Sequence, residues 1–272
     1  MIIPKISIIT VCYNSEETIE KTILSVINQT YQNLEYIIID GASKDSTVDI
    51  INKYRYKIAH FVSEPDKGIY DAMNKGAKMA TGEWLLFRNS GDFFFSHTSI
   101  EDLFKMYKED NKEDFLLADS RLFRKWGYKD VKPSILNKSF YDAMPVLHPS
   151  TFVRRSTQLK FPFHLNYKNS SDYCFFVEAL KSGATYRYFD LLLALVENDT
   201  GITASHFDRT LKENIDFLNK MGAPKERIKQ LERILCKNKI SKFIPFIDWY
   251  RKKKLLNDGW IEANLSDILK NV

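Results

Sequence analysis

The first third of the chain alternates two hydrophobic patterns: short unbroken apolar runs, and stretches where apolar residues recur every three or four positions. Ile6–Val11, Tyr36–Ile39, Ile58–Val62 and Trp84–Phe87 are of the first kind. They predict strands buried on both faces, as inside a parallel sheet. Ile19, Ile23, Val26 and Ile27, then Ile69, Met73, Gly76 and Ala80, are of the second kind and predict helices. A further helix is expected to start near Ser46, and Asn14 followed by Glu17 reads as a capping box for the first helix. Strand and helix in alternation imply an α/β fold.

Every strand in this half runs into a turn of acids, small polar residues or glycine: residues 12–17, 40–47, 63–68 and 89–92. In a doubly wound sheet such turns converge on one crevice at the carboxyl ends of the strands. The last, Asn89-Ser90-Gly91-Asp92, delivers the Asp92 carboxylate to the end of a central strand. Alone it is an ordinary strand-to-helix turn with Asp92 as a local cap; polar turns after each strand in succession point to a ligand.

Beyond Phe95 the pattern loosens. A helix is predicted over Ser99–Tyr107, a strand over Phe115–Ala118, and a helix over Asp172–Lys181 with Phe175, Phe176, Ala179 and Leu180 on its apolar side. Residues 120–145, carrying Arg121, Phe123, Arg124, Trp126 and Tyr128, read as a mobile loop or hairpin over the cleft. Residues 206–272 read as entirely helical, broken at Gly222, Pro224 and Pro245.

With 272 residues, 44% hydrophobic and 28% charged, the chain fits one large soluble domain with an appendage. Cys12, Cys174 and Cys236 are too scattered for a disulfide framework or a zinc site, which implies a reducing compartment. The amino terminus lacks the pattern of a signal peptide, and no apolar run approaches the ~20 residues of a membrane span, so a cytoplasmic protein is expected. The net charge of +5 is uneven: residues 237–254 carry +6 and the remainder −1. A near-neutral body with one basic patch argues against nucleic acid as a partner.

Taken in order, residues 7–14, 25–31, 35–47, 64–74, 80–84 and 89–92 resemble the family 2 inverting glycosyltransferases. The resemblance implies a GT-A fold, with a mostly parallel central sheet flanked by helices and here a helical C-terminal extension. It divides the chain into a catalytic domain, 1–205, with a nucleotide-sugar half (1–95) and an acceptor half (96–205), and a helical region, 206–272. It implies transfer of one sugar from a nucleotide-sugar, a UDP-sugar being favoured, to a glycan or lipid-linked acceptor, as in bacterial enzymes of cell-surface polysaccharide synthesis.

Carried over residue by residue, the resemblance places Thr10, Tyr13 and Asn14 in the base pocket and has Asp40 accept a hydrogen bond from a base imide. Asp66 and Lys67 fall where ribose or phosphate is read, and Asn89, Ser90 and Gly91 line the nucleotide. Asp45 is left as a helix-start residue. The family's metal motif is Asp-x-Asp; here Asn89 and Gly91 stand where acids often stand, leaving Asp92 as the carboxylate for Mg²⁺ or Mn²⁺, with His206 as a second candidate ligand. Asp172, in Ser170-Ser171-Asp172-Tyr173, is the general base, with Ser171 in place of a preceding acid and an N-cap as its alternative reading. His148 shapes the acceptor side.

Residues 237–256 mix the basic cluster with Ile240, Phe243, Ile244, Phe246, Ile247, Trp249 and Tyr250, which suits an anionic membrane surface or a packing partner, including a second copy of the chain. Two other functions compete. A catalytically inactive sugar-nucleotide binder or scaffold is suggested by the missing acids at Asn89, Gly91 and Ser171. A nucleotidyltransferase would need a glycine-rich basic loop after the first strand, and residues 12–17 contain none. A dehydrogenase is disfavoured because no Gly-x-Gly-x-x-Gly follows that strand.

Overall fold

A computed structural model describes residues 3–108, 112–142, 144–198, 206–241 and 255–270. All residues of β1 (Ile6–Cys12) are buried, as its unbroken apolar run requires of a strand covered on both faces. It pairs in parallel with β2 (Leu34–Asp40) on one side and β4 (Trp84–Phe87) on the other. Outside β2 lies β3 (His60–Ser63), also parallel. The third strand thus forms two residues later than the apolar run suggests, because Arg55–Lys57 winds into a short 3-10 turn.

Alternation decides what each strand buries. Ile6, Ile8, Trp84 and Leu86 face α1 (Ile19–Ile27) and α4 (Ser99–Met106), meeting Ile23, Val26, Ile100 and Leu103. Their neighbours Ile9, Val11, Leu85 and Phe87 face α3 (Ile69–Met79) and α6 (Ser171–Lys181), meeting Met73, Ala77, Phe175 and Phe176. Each fully buried Leu, Ile or Phe contributes ~1.5–3 kcal/mol, so a register slip that exposed either set would be prohibitive.

The sheet becomes mixed beyond β4. β8 (Thr151–Arg154) pairs antiparallel to β4 and to β6 (Phe115–Arg124). Two reversals leave β6 running in the direction of β4, so its carboxyl end projects from the same edge as those of β1, β2 and β4. β6 continues through a hairpin into β7 (Gly127–Val131), which resolves the loop-or-hairpin expectation for residues 120–145. β9 (Tyr186–Glu197) runs parallel to β6 across two register shifts beside Asp119, and β5 (Phe93–Phe94) pairs antiparallel to β9.

The helix α2 (Thr47–Lys53) follows β2, and α5 (Arg155–Lys160) follows β8. In the C-terminal region α7 (Phe207–Lys220) and α8 (Lys225–Ser241) pack Leu211, Leu218 and Leu231 against Tyr173, Cys174 and Val177 of α6. The chain beyond 206 is not entirely helical, however. Before the short α9 (Leu265–Ile268), β10 (Ile261–Glu262) joins the sheet antiparallel to β7. Helical spacing could not reveal this, because the strand depends on a contact far away in sequence: a Cβ at Gly127 would lie 2.3 Å from the Ile261 carbonyl oxygen. Among the described residues no helix is long and apolar enough to cross a membrane.

Candidate active site

The first two strand ends are laced to each other. After β1 the chain enters a left-handed residue, Asn14, at φ 47°. Its backbone N–H donates to Ser43 Oγ (2.8 Å) and its Oδ1 accepts from the Lys44 N–H (2.8 Å). Ser15 N–H donates to Thr47 Oγ1 (2.7 Å) and Glu16 N–H to Asp45 Oδ2 (3.1 Å). The capping box expected from Asn14 and Glu17 does not form: α1 starts at Ile19 behind Thr18, and the Asn14 side chain is spent on the neighbouring loop. Asp45 serves the start of α2 as expected, its Oδ1 accepting from the Thr47 N–H at 3.1 Å.

Asp40 is fully buried. Its carboxylate accepts from the Ser43 hydroxyl, the Ser43 N–H (3.0 Å) and the Ser63 hydroxyl (2.6 Å), with the Cys12 thiol at 3.7 Å. Those partners lie in the lone-pair directions of the carboxylate and tie β2 to the Ser43 and Ser63 loops. Thr10 is likewise buried, with its hydroxyl 3.0 Å from that of Tyr36, and lines no open surface. A strand-end polar residue can turn inward as easily as outward, and local sequence does not say which; here both Thr10 and Asp40 turn inward.

Three other groups do converge on open space. Tyr13 is 60% exposed. A Cβ at Gly41 would sit 2.7 Å from Asp66 Oδ2 and 3.3 Å from the Tyr13 ring, so the missing side chain leaves a cradle between them. The other Asp66 oxygen accepts from the Gly68 N–H at 2.7 Å, at the entry to α3. Lys67 is exposed beside it, with its carbonyl held by the Lys168 ammonium at 2.8 Å.

The turn after β4 is strapped to α1. Ser90 Oγ lies 2.8 Å from Thr18 Oγ1, and the Gly91 N–H donates to Thr22 Oγ1 at 3.0 Å. Gly91 sits at φ 97°, a conformation that resists an acid at this place. Asp92 is 9% exposed, and burial pushes its carboxyl up to about 7 against the opposing charge of Arg88. The Arg88 guanidinium lies wholly buried over the Phe94 ring, 4.0 Å from its centroid, with Nη1 donating to the Phe93 carbonyl at 3.0 Å.

Farther along the chain, Asp172 is the second residue of α6 and not its cap; Ser170 occupies the N-cap position. Asp172 Oδ1 accepts from the Tyr70 hydroxyl and from the Tyr173 N–H, both at 2.9 Å. Burial raises its carboxyl above the usual carboxylate range, while those two donors work in the opposite direction. His148 is packed inside, its ring 4.8 Å from Phe87 and also against Phe163 and Phe176. Burial holds it down at about 3, so it is a neutral core residue. His206 is the exposed residue that precedes α7. The described residues contain no group of three or more His, Cys, Asp or Glu side chains able to hold a metal, so His206 and Asp92 are not joined in such a cluster.

A family model described as "Glycosyl transferase family 2" matches residues 7–157, more than half of the chain and all of the strand ends described above. The chain belongs to that family. A relative from Escherichia coli, "UDP-Glc:alpha-D-GlcNAc-diphosphoundecaprenol beta-1,3-glucosyltransferase WfaP", is 28% identical over 85% of this chain and 90% of its own. A "PGL/p-HBAD biosynthesis glycosyltransferase" of Mycobacterium bovis is 25% identical over 82% of this chain and 88% of its own. Among solved structures, the mannosyltransferase PcManGT from Pyrobaculum calidifontis in complex with GDP-Man and Mn²⁺ superposes with a TM-score of 0.64 at 17% identity, covering 86% of this chain and 70% of the other. That likeness establishes the fold, which is GT-A.

As a glycosyltransferase of this family the chain departs from the usual metal motif, yet the turn retains groups suited to a divalent ion. Asn89 Oδ1 is buried without a hydrogen-bond partner, and the Asp92 carboxyl belongs to the same turn. Hard oxygen donors of this kind fit Mg²⁺ or Mn²⁺. Three residues that matter here had escaped the sequence reading. Gly41 carried a signal, as a glycine directly after a strand-end aspartate. Arg88 carried one too, as a cation closing an apolar strand. Tyr70 carried none, because its partner is 102 positions away.

Proposed function

We propose that this family 2 enzyme moves one sugar from a nucleoside-diphosphate sugar, a UDP-sugar by preference, to a hydroxyl of a glycan or lipid-linked acceptor with inversion at the anomeric carbon. The observation that carries the reading is Asp172: a carboxylate anchored through one oxygen, with no hydrogen bond to Oδ2 among the described residues. Oδ2 takes the proton as the acceptor oxygen bonds to the anomeric carbon, and the sugar–phosphate bond breaks on the opposite side. The electron pair leaves with the nucleoside diphosphate.

Tyr13, the Gly41 cradle and Asp66 would receive the base and ribose, with Asn14 and Ser43 bracing the loop and Lys67 near the diphosphate. Asn89 and Asp92 would hold a Mg²⁺ or Mn²⁺ ion, which when bound withdraws charge from the leaving phosphate oxygen; Ser90 and Gly91 keep the turn in shape. His206 has no assigned part. The name of the E. coli relative supports a UDP-sugar and a lipid-diphosphate acceptor, and PcManGT supports a divalent ion. A lipid-linked acceptor would also account for the basic and aromatic residues of 237–256, of which 242–254 lie outside the described residues.

The test is Asp172→Asn. UDP release from UDP-glucose with a GlcNAc-diphospholipid acceptor is expected to fall at least about a hundredfold, while UDP-glucose binding by calorimetry is retained. Near-normal turnover in this variant would remove Asp172 as the base. Donor binding without turnover in the wild-type chain, across acceptors, would favour the inactive binder.

A further inference from the structure

We propose that Tyr70 is the positioning residue of the reaction: its phenol fixes one oxygen of Asp172 so that the other faces the acceptor hydroxyl. The inference rests on the reading of Asp172 as the base and adds the group that aims it.

An aspartate near the start of a helix has two side-chain torsions free, and either oxygen could turn toward solvent. Here Oδ1 takes both the Tyr70 hydroxyl and the Tyr173 N–H at 2.9 Å, which fixes the carboxylate plane and distinguishes the two oxygens. Tyr70 is itself held, 8% exposed with its ring 5.5 Å from Phe163. It lies on the first turn of α3, directly after Asp66 and Lys67, so the same hydroxyl links the donor loop to the acceptor half. The Lys168 ammonium on the Lys67 carbonyl, 2.8 Å away, is a second tie between the same two segments.

The titratable groups facing Asp172 are Tyr70 from α3, Glu213 from α7 and Cys174 on its own helix. Glu213 and burial favour the protonated acid, and the phenol favours the carboxylate. A hydrogen bond donated to the charged form stabilises it, so its loss must raise the titration midpoint of Asp172.

Tyr70→Phe removes the hydroxyl and keeps the ring. Titration of the aspartate carboxyl carbons by NMR, with Asp172 assigned by its disappearance in Asp172→Asn, is expected to show its midpoint about one pH unit higher in Tyr70→Phe. Turnover with UDP-glucose and the GlcNAc-diphospholipid should fall about tenfold or more with donor binding unchanged, and the acid limb of kcat/KM should move to higher pH. A tyrosine that only packs would lower the melting temperature and leave midpoint and limb in place. An unmoved Asp172 midpoint, or turnover within about twofold of wild type, overturns the proposal. If Asp172→Asn is inactive while Tyr70→Phe is silent, the tyrosine falls and the base stands; if Asp172→Asn is active, the base itself falls.

Discussion

Asp40 and Asp92 are both carboxylates delivered to the end of a buried parallel strand, and the fold uses them in opposite ways. Asp40 is surrounded by the Ser43 and Ser63 donors and ties two loops together. Asp92 is buried near a cation, with its carboxyl pushed up to about 7 and an orphaned Asn89 oxygen in the same turn. If the metal proposed above is held there, it would supply the partner that the Asn89 oxygen lacks. Thermal-shift measurements with UDP-, GDP- and dTDP-sugars, with and without Mn²⁺, should therefore show the largest stabilisation with a UDP-sugar plus metal. Asp92→Ala should abolish the metal-dependent part of that shift and leave most of the metal-free part. A variant that responds to Mn²⁺ like the wild type would remove Asp92 from the metal site.

At the scale of elements, the strands and helices of residues 1–95 were legible because each has one dominant apolar pattern and a polar turn to stop it. β1, β2, β4, α1 and α3 all fall where alternation and helical spacing put them. The chain beyond residue 95 was less legible. β6 to β9 are held by pairings across reversed directions and register shifts, and β10 by a two-residue contact that no periodicity can signal. Gly127 is the hinge of that last pairing, since a methyl group there would collide with the Ile261 carbonyl. Gly127→Ala is expected to cost about 1–3 kcal/mol and to release the 255–270 segment, with the Trp126–Trp260 ring contact at 5.5 Å lost with it. Limited proteolysis and tryptophan fluorescence read this directly; unchanged protection of 255–270 would show that the pairing tolerates a side chain.

For the molecule as a whole, charge is the feature that composition alone locates. A body near neutrality carries a basic, aromatic-rich segment at 237–254, and α8 leads into it with Lys229, Arg233 and Lys237 exposed. Each such residue near an anionic surface contributes on the order of 1 kcal/mol, so membrane binding is the expected outcome if the proposed lipid-linked acceptor is the substrate. Flotation of the intact chain with vesicles is expected to show binding when phosphatidylglycerol is present and loss of binding in high salt. Equal recovery with neutral vesicles, or none with either, would assign the segment to packing or to a second copy of the chain.

The sequence by itself determined the α/β pattern, the family, and the strand ends that carry the chemistry, because buried strands need unbroken apolar runs and the turns that follow them need small polar residues. Only the tertiary structure decided which polar residues face outward, that Asp40 and Thr10 are buried while Tyr13 is exposed beside Gly41 and Asp66, and that Tyr70 reaches Asp172. Local pattern reports whether a residue is suited to burial. Whether a buried polar group is satisfied depends on donors and acceptors brought from distant positions, and those are set when the layers pack.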